Sequence, residues 1–151
     1  MNTEYKIKLF TIGYTKKSAQ QFFELLKKNQ IKRVVDIRLN NKGVFAGFSK
    51  MGDIQYFCKI LINADYIYKP EFAPTKDMLK RYRKKEITWE DYEKEYDDLI
   101  EKRNIKESLK INEYDYNCFL CSEHLPDKCH RKLLAEYFLK LNSNIEISHI
   151  K

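Results

Sequence analysis

Glycine and proline are scarce in this chain, four and three among 151 residues. That scarcity excludes collagen-like and low-complexity disordered classes. No run of about 18 apolar residues occurs, which excludes a membrane-spanning helix. The opening residues, Met1-Asn2-Thr3-Glu4-Tyr5-Lys6, lack the apolar core of a secretory signal, so the expected compartment is the cytoplasm. There is no G-x-G-x-x-G and no Walker loop, so no nucleotide cofactor is implied. Cysteine is limited to Cys58, Cys118, Cys121 and Cys129. Without a secretory signal these read as free thiols rather than as a disulfide framework.

What is present is enough to build a core. Hydrophobic residues make up 43% of the chain and aromatics 14%, as in a globular protein. The length fits one domain, residues 1–151. The formal charge is +7, which favours anionic partners such as a nucleotide, a nucleic acid or a phosphorylated metabolite. A lysine-coated solvated surface accounts for the same number. Many lysines stand beside acids, as in Lys84-Lys85-Glu86 and Glu93-Lys94-Glu95.

The apolar pattern alternates between strand-like and helix-like runs. Ile7 to Ile12, ending at Gly13, reads as a strand. Ser18-Ala19-Gln20-Gln21 has the form of a capping box, and Ala19, Phe22, Phe23, Leu25 and Leu26 continue it as an amphipathic helix over 18–29. Residues 33–38 read as a second strand, completing a βαβ unit. Residues 39–49 form a loop with apolar Val44, Phe45 and Phe48. Met51, Ile54, Phe57, Cys58 and Leu61 give a second helical stripe. Tyr66-Ile67-Tyr68 makes a third strand, followed by a loop between Pro70 and Pro74. Helices follow over 75–83 and from Thr88, a fourth strand over 117–121, and a last helix with Asp127 as its N-cap and Cys129 in its first turn. Residues 145–149 form a fifth strand. This order predicts an α/β fold: a single compact domain with a mostly parallel five-stranded sheet flanked by helices, layered as in Rossmann-like proteins.

In such a sheet ligands bind at the carboxyl ends of the strands. Those ends carry Gly13 and Tyr14, Asp36 and Arg38, Lys69 and Glu71, Cys121 and Glu123, and His149. The densest chemistry is Cys121-Ser122-Glu123-His124-Leu125-Pro126-Asp127-Lys128-Cys129-His130-Arg131. A thiol at a strand end, with Arg38 or Arg131 near, suits a thiolate nucleophile. A small apolar residue closing the strand fits Cys121 as well. Cys129, near a helix N-terminus, suits a thiolate or a bound anion. Arg131 suits bidentate binding of phosphate or carboxylate, or a salt bridge to Asp36 or Glu123. Asp36 is expected to hold an arginine in place. Glu123 and His130 are candidate proton carriers, and Tyr14 could stack on a ring. His149 fits either an anion site or a satisfied edge position.

Cys118 and Cys121 form a C-x-x-C pattern, but residues three apart on one strand face opposite sides of the sheet. The set Cys121, Glu123, His124, Cys129 and His130 matches no common zinc spacing, so no metal is assigned.

Thr11-Ile12-Gly13-Tyr14-Thr15, Val35-Asp36-Ile37-Arg38, Ala73-Pro74-Thr75, Cys121-Ser122-Glu123, Cys129-His130-Arg131 and Ser148-His149-Ile150 together carry a resemblance. Over nearly its whole length the chain resembles the domain-of-unknown-function family 488. The resemblance implies a compact α/β domain and a polar cluster drawn from these positions. It assigns no reaction. Asn40-Asn41 stands where many members are richer in Pro and Ser, and that segment bears on substrate choice. More loosely, the layout is similar to rhodanese-like and cysteine-phosphatase domains. Here Cys121 and Arg131 stand ten residues apart, farther than in the tight cysteine loop of those enzymes.

Two functions follow as expectations. The first is a thiol-dependent hydrolase or transferase for an anionic substrate, a nucleotide, nucleic-acid component or phosphate compound. Cys121 or Cys129 would act as nucleophile, Glu123 or His130 would carry the proton, and Gly13, Tyr14, Asp36, Arg38, Arg131 and His149 would form the anion site. The second is a non-catalytic module that binds nucleic acid or a small anion. A third reading, in which the cysteine loop is merely packed, needs neither. No membrane partner is expected, and oligomeric state is not legible.

Overall fold

The computed structural model describes residues 5–40, 47–123 and 125–151. The apolar loop positions Val44 and Phe45, with Asn41 and Gly43, and His124 of the cysteine loop, lie outside the described residues.

Five strands form one sheet in which every pairing is parallel. They are β1 (Ile7–Gly13), β2 (Arg33–Asp36), β3 (Asp65–Tyr68), β4 (Asn117–Cys121) and β5 (Ile145–Ile150), in the spatial order β3-β2-β4-β1-β5. The described helices are α1 (Ala19–Lys28), α2 (Asp53–Ile62), α3 (Lys76–Arg83), α4 (Trp89–Lys102), α5 (Ile105–Ser108) and α6 (His130–Leu141). The α/β expectation stands, with a sheet that is wholly parallel.

A parallel sheet is covered on both faces, so its inner strands lose the polar alternation of a half-exposed strand. β4 is buried at all five positions, and β1 at all but Lys8. The edge strands are wetter: Asp65 of β3 and Glu146 of β5 are exposed, which keeps those edges from pairing with other chains. Within each strand alternate residues enter different cores. Phe10, Ile12, Val34, Cys118 and Leu120 pack under α1 and α2. Leu9, Val35, Ile37, Phe119 and Cys121 pack under α3, α4, α5 and α6. Cys118 and Cys121 therefore do face opposite sides, and the C-x-x-C pattern makes no dithiol.

Local chemistry sets the ends of the helices. Ser18 caps α1 by accepting from the Gln21 amide, and the Gln21 side chain returns the bond to the Ser18 amide. Thr88 and Asp91 cap α4 in the same reciprocal way, and Thr75 caps α3 by accepting from the Met78 amide. Each such cap contributes about 1 kcal/mol. Phe22, Phe23 and Leu26 turn inward from α1, and burying each stabilises the fold by about 1.5–3 kcal/mol. Phe48 closes over Phe22 and Phe23, at ring separations of 5.3 and 6.0 Å.

One boundary differs from expectation. The last helix begins at His130, with Cys129 rather than Asp127 as its N-cap. The cause is a turn closed by the Cys129 amide donating to the Pro126 carbonyl, which places Asp127 in the turn and exposes it. Cys129 thus stands just outside the first turn of α6.

Candidate functional site

β2 and β4 are neighbours, yet the helices they feed lie on opposite faces: α2 packs on one core and α6 on the other. Their connections diverge at the carboxyl ends, the place where open α/β sheets bind ligands. β1 closes the other flank of β4, with Gly13 in register with Cys121.

On the α6 side of the sheet, four sequence-predicted residues meet. Arg131 is fully buried, and its Nη1 donates to the Glu123 carbonyl at 2.6 Å and to the Cys121 sulfur at 3.9 Å. Gly13 lies beneath this contact. A Cβ at that position would collide with the Glu123 carbonyl and with the Arg131 guanidinium, so only glycine leaves room for both. The β1 end is tied to the same loop. The Tyr14 amide donates to the Cys121 carbonyl at 3.3 Å, and Thr15 donates to the Ser122 carbonyl through its amide at 3.2 Å and its hydroxyl at 2.6 Å.

The Cys121 sulfur meets the Cys129 sulfur. The expectation of four separate free thiols is therefore corrected for this pair and stands for Cys58 and Cys118. The Cα atoms of the pair are 7.8 Å apart, wider than the roughly 4.4–6.8 Å that disulfides span. A covalent link needs the backbone to draw in, and the reduced pair is the form considered below. Cys58 and Cys118 are poor nucleophiles, because burial pushes the Cys58 thiol up to about 12 and that of Cys118 well above its usual range.

Burial also lowers the Arg131 guanidinium to about 10, against the pull of neighbouring Cys118 and Glu123. At that value it remains a cation at neutral pH. A fixed cation beside a sulfur stabilises the thiolate. The Glu123 side chain is exposed and open to solvent.

The histidines behave differently from that pair. His130 Nε2 donates to the Ile37 carbonyl at 2.8 Å, linking the start of α6 to the end of β2. Burial lowers its pKa to about 4, so the imidazole is neutral at physiological pH and its bonded N–H is committed. It is a tie between elements and a weak candidate for proton transfer. His149 is half-buried on β5, with Nδ1 2.7 Å from the Thr11 hydroxyl. Desolvation lowers its pKa, with help from Arg131 and Lys132.

The remaining predicted residues gather on the α2 side. Arg38 binds Asp36 in a two-pronged pair, Nε to Oδ1 at 2.9 Å and Nη2 to Oδ2 at 2.8 Å. Asp36 also receives the Tyr66 hydroxyl at 2.5 Å and the Arg38 amide at 3.1 Å. Arg38 Nη2 donates to the Ser49 carbonyl at 2.6 Å, and its guanidinium lies 5.3 Å from the Tyr14 ring centre. Asp36 thus holds an arginine in place, and that arginine is Arg38 rather than Arg131. At the end of β3, the Lys69 amide donates to the Asp36 carbonyl and Glu71 sits in a short turn anchored by Arg103.

Lys17 was not predicted. It is half-buried, and its pKa is lowered by desolvation and then by Arg131, so it stands within the field of the site. Its position two residues after Thr15, on the turn leaving β1, was the available signal. Among the described residues, no group of three or more His, Cys, Asp or Glu side chains stands close enough to hold a metal ion.

Fold and site together define an α/β protein with a buried arginine–thiol cluster at the carboxyl edge of a parallel sheet. The chain belongs to the family described as Domain of unknown function DUF488, whose model matches residues 18–138. Comparison with curated proteins and with solved structures gives no match. Among the described residues, no helix is long and apolar enough to cross a membrane.

Proposed function

We propose that the chain is a thiol-dependent hydrolase or transferase acting on an anionic substrate at the carboxyl ends of β1 and β4. The observation that carries this reading is the buried Arg131 guanidinium set against the Cys121 sulfur, with Cys129 at the N-cap of α6. Arg131 favours the thiolate and also favours an anion beside it. The amide groups at the start of α6 add the same sign of field. Cys121 attacks the electrophilic centre of the substrate, forming a bond from sulfur to that centre as the leaving group departs. In this scheme the exposed Glu123 carboxyl group carries the proton to the leaving group, and water or an acceptor then displaces the sulfur-bound group and restores the thiolate. His130 takes no proton-transfer role in this scheme.

A second reading keeps the anion site and omits the attack. It is favoured by the burial of both sulfurs, with Cys121 1% and Cys129 3% exposed. Turnover requires the connection between β4 and α6 to move aside, whereas binding at the rim does not.

The test is alkylation of the reduced native protein across a pH series, read cysteine by cysteine by mass spectrometry. The expected result is reaction at Cys121 or Cys129 with an apparent pKa below about 8.5, and a higher value in Arg131→Met. Inertness of both thiols until the protein unfolds would remove nucleophilic catalysis and leave anion binding as the function.

A further inference from the structure

A groove of about 450 Å³ runs along α1, lined by Lys16, Lys17, Gln21, Glu24, Leu25, Lys28 and Lys151. Four ammonium groups face one side-chain carboxylate there. The lining residues of α1 stand at i, i+3, i+4 and i+7 from Gln21, so they form one helix face. At 1.5 Å per residue that face is about 10 Å long. Leu25 floors it with apolar surface, while Lys16 and Lys17 close the upper end and Lys28 the lower.

The groove joins the thiol site through the chain itself. Gly13 lies under Arg131, Thr15 is bonded to the Ser122 carbonyl, and Lys16 and Lys17 follow directly. Lys17 is the inner member: it is half-buried and feels Arg131, while Lys16, Lys28 and Lys151 are exposed. Lys16 is held in the left-handed region, at φ 59°, a conformation seldom adopted by residues other than glycine, asparagine and aspartate. Both consecutive lysines of this turn line the groove.

We propose that this groove binds a chain of linked phosphates, running from the surface along α1 to the end of β1. This inference rests on the proposed anion site at its inner end only. A single phosphate would engage one end of a groove about 10 Å long, whereas linked phosphates engage the exposed Lys16 and Lys28 together. Two sources supply that chemistry: the backbone of a single-stranded oligonucleotide, and a small polyphosphate.

The test uses the full chain with Cys121→Ser, so that binding is read without any thiol reaction. Titrations with a short oligothymidylate, with tripolyphosphate and with orthophosphate are run at several salt concentrations. Tighter binding of a linked-phosphate probe than of orthophosphate is expected. The double variant Lys16→Gln, Lys28→Gln should weaken the linked probe about tenfold and lower its salt slope by about 1.4, near 0.7 per contact. A control pair of the same charge change, Lys106→Gln with Lys110→Gln, lies on exposed positions at and just beyond α5 and should leave binding unchanged. Binding of the oligothymidylate alone identifies a nucleic-acid backbone, and binding of tripolyphosphate alone identifies a small polyphosphate. Absence of saturable binding by both, or equal loss in the control pair, overturns the proposal. Neither outcome bears on the alkylation test, so the two readings fail separately.

Discussion

Two arginines lie buried at the carboxyl edge of the sheet, one on each face, and their surroundings are opposite. Arg38 is 3% exposed and Arg131 is 0% exposed. Burial depresses both, but at Arg38 the hydrogen bonds and charge of Asp36 outweigh it, and the guanidinium ends above its usual value. Arg131 meets a sulfur and a backbone carbonyl, and burial brings it down to about 10. A paired buried cation is a structural element with little left to give to a ligand. A buried cation held against a sulfur favours that sulfur's thiolate form. The comparison separates an ion-paired arginine on the α2 face from an arginine set beside sulfur on the α6 face.

The sharpest way to break the comparison is Asp36→Asn. It leaves Arg38 as an uncompensated buried charge and should cost about 3–5 kcal/mol, read by urea unfolding. A loss under about 1 kcal/mol would show that Asp36 does not hold Arg38 as described.

The next effect is a pH dependence on the α6 side. His130 has a folded pKa of about 4 against an ordinary 6.5. Above 6.5 both states leave it neutral, and it contributes no pH dependence. As pH falls from 6.5 toward 4 the unfolded chain takes up the proton first, so stability is lost across that window, by about 3 kcal/mol in total. Unfolding at pH 7 and at pH 4.5, compared with His130→Gln, isolates this loss. The variant should show a flatter profile, and an equally steep one would exclude His130 as the source.

Gly13→Ala comes third. The added methyl group displaces the Glu123 carbonyl and Arg131, at a cost of about 1–3 kcal/mol. Alkylation of Cys121 should change with it, because the same contact orders the sulfur. Unchanged reactivity in a destabilised variant would separate the packing of Gly13 from the chemistry of Arg131.

The smallest change in stability is expected for Arg131→Met. An apolar side chain of similar reach removes the desolvation cost of the cation, which offsets much of the lost bond to the Glu123 carbonyl, for a net change of about 1 kcal/mol. The alkylation profile is where this variant should differ from the parent. Loss of several kcal/mol would make Arg131 a structural residue like Arg38 and erase the contrast.

Much of the fold was legible because its signals are local. The capping box at Ser18 and Gln21, the apolar run ending at Gly13 and the run over 117–121 each specify an element by the chemistry of a few neighbours. α5 and the short turn at Ile111–Tyr114 were missed, since each is fixed by one buried side chain, Ile105 or Tyr114, pressed into a distant core. The start of α6 was misplaced because Asp127 is a good cap by residue type, while the Pro126 turn decides which residue takes that place. The candidate residues were legible as a set but not as two groups. Parity along one strand can be counted, yet relating the face of Asp36 to the face of Cys121 requires knowing that β2 pairs with β4. The lysine groove was illegible for the same reason, since Lys151 joins the lysines of 16–28 in one lining only in the folded chain.

The strand order also governs when this molecule can come into being during synthesis. β1 leaves the ribosome first, and both its partners lie far downstream, β4 starting at Asn117 and β5 at Ile145. Until Asn117 emerges, only β2 and β3 have each other to pair with, and the apolar first strand waits. Such delayed, distant pairing makes folding slow and leaves nascent chains exposed to aggregation. β4 takes the middle place of the sheet, between β2 and β1, so the β2–β3 pair and β1 have no link through the sheet before it. Of Gly13, Cys121 and Arg131, a chain stopped short of β4 carries only Gly13, so the site cannot begin to form until β4 and α6 have both emerged.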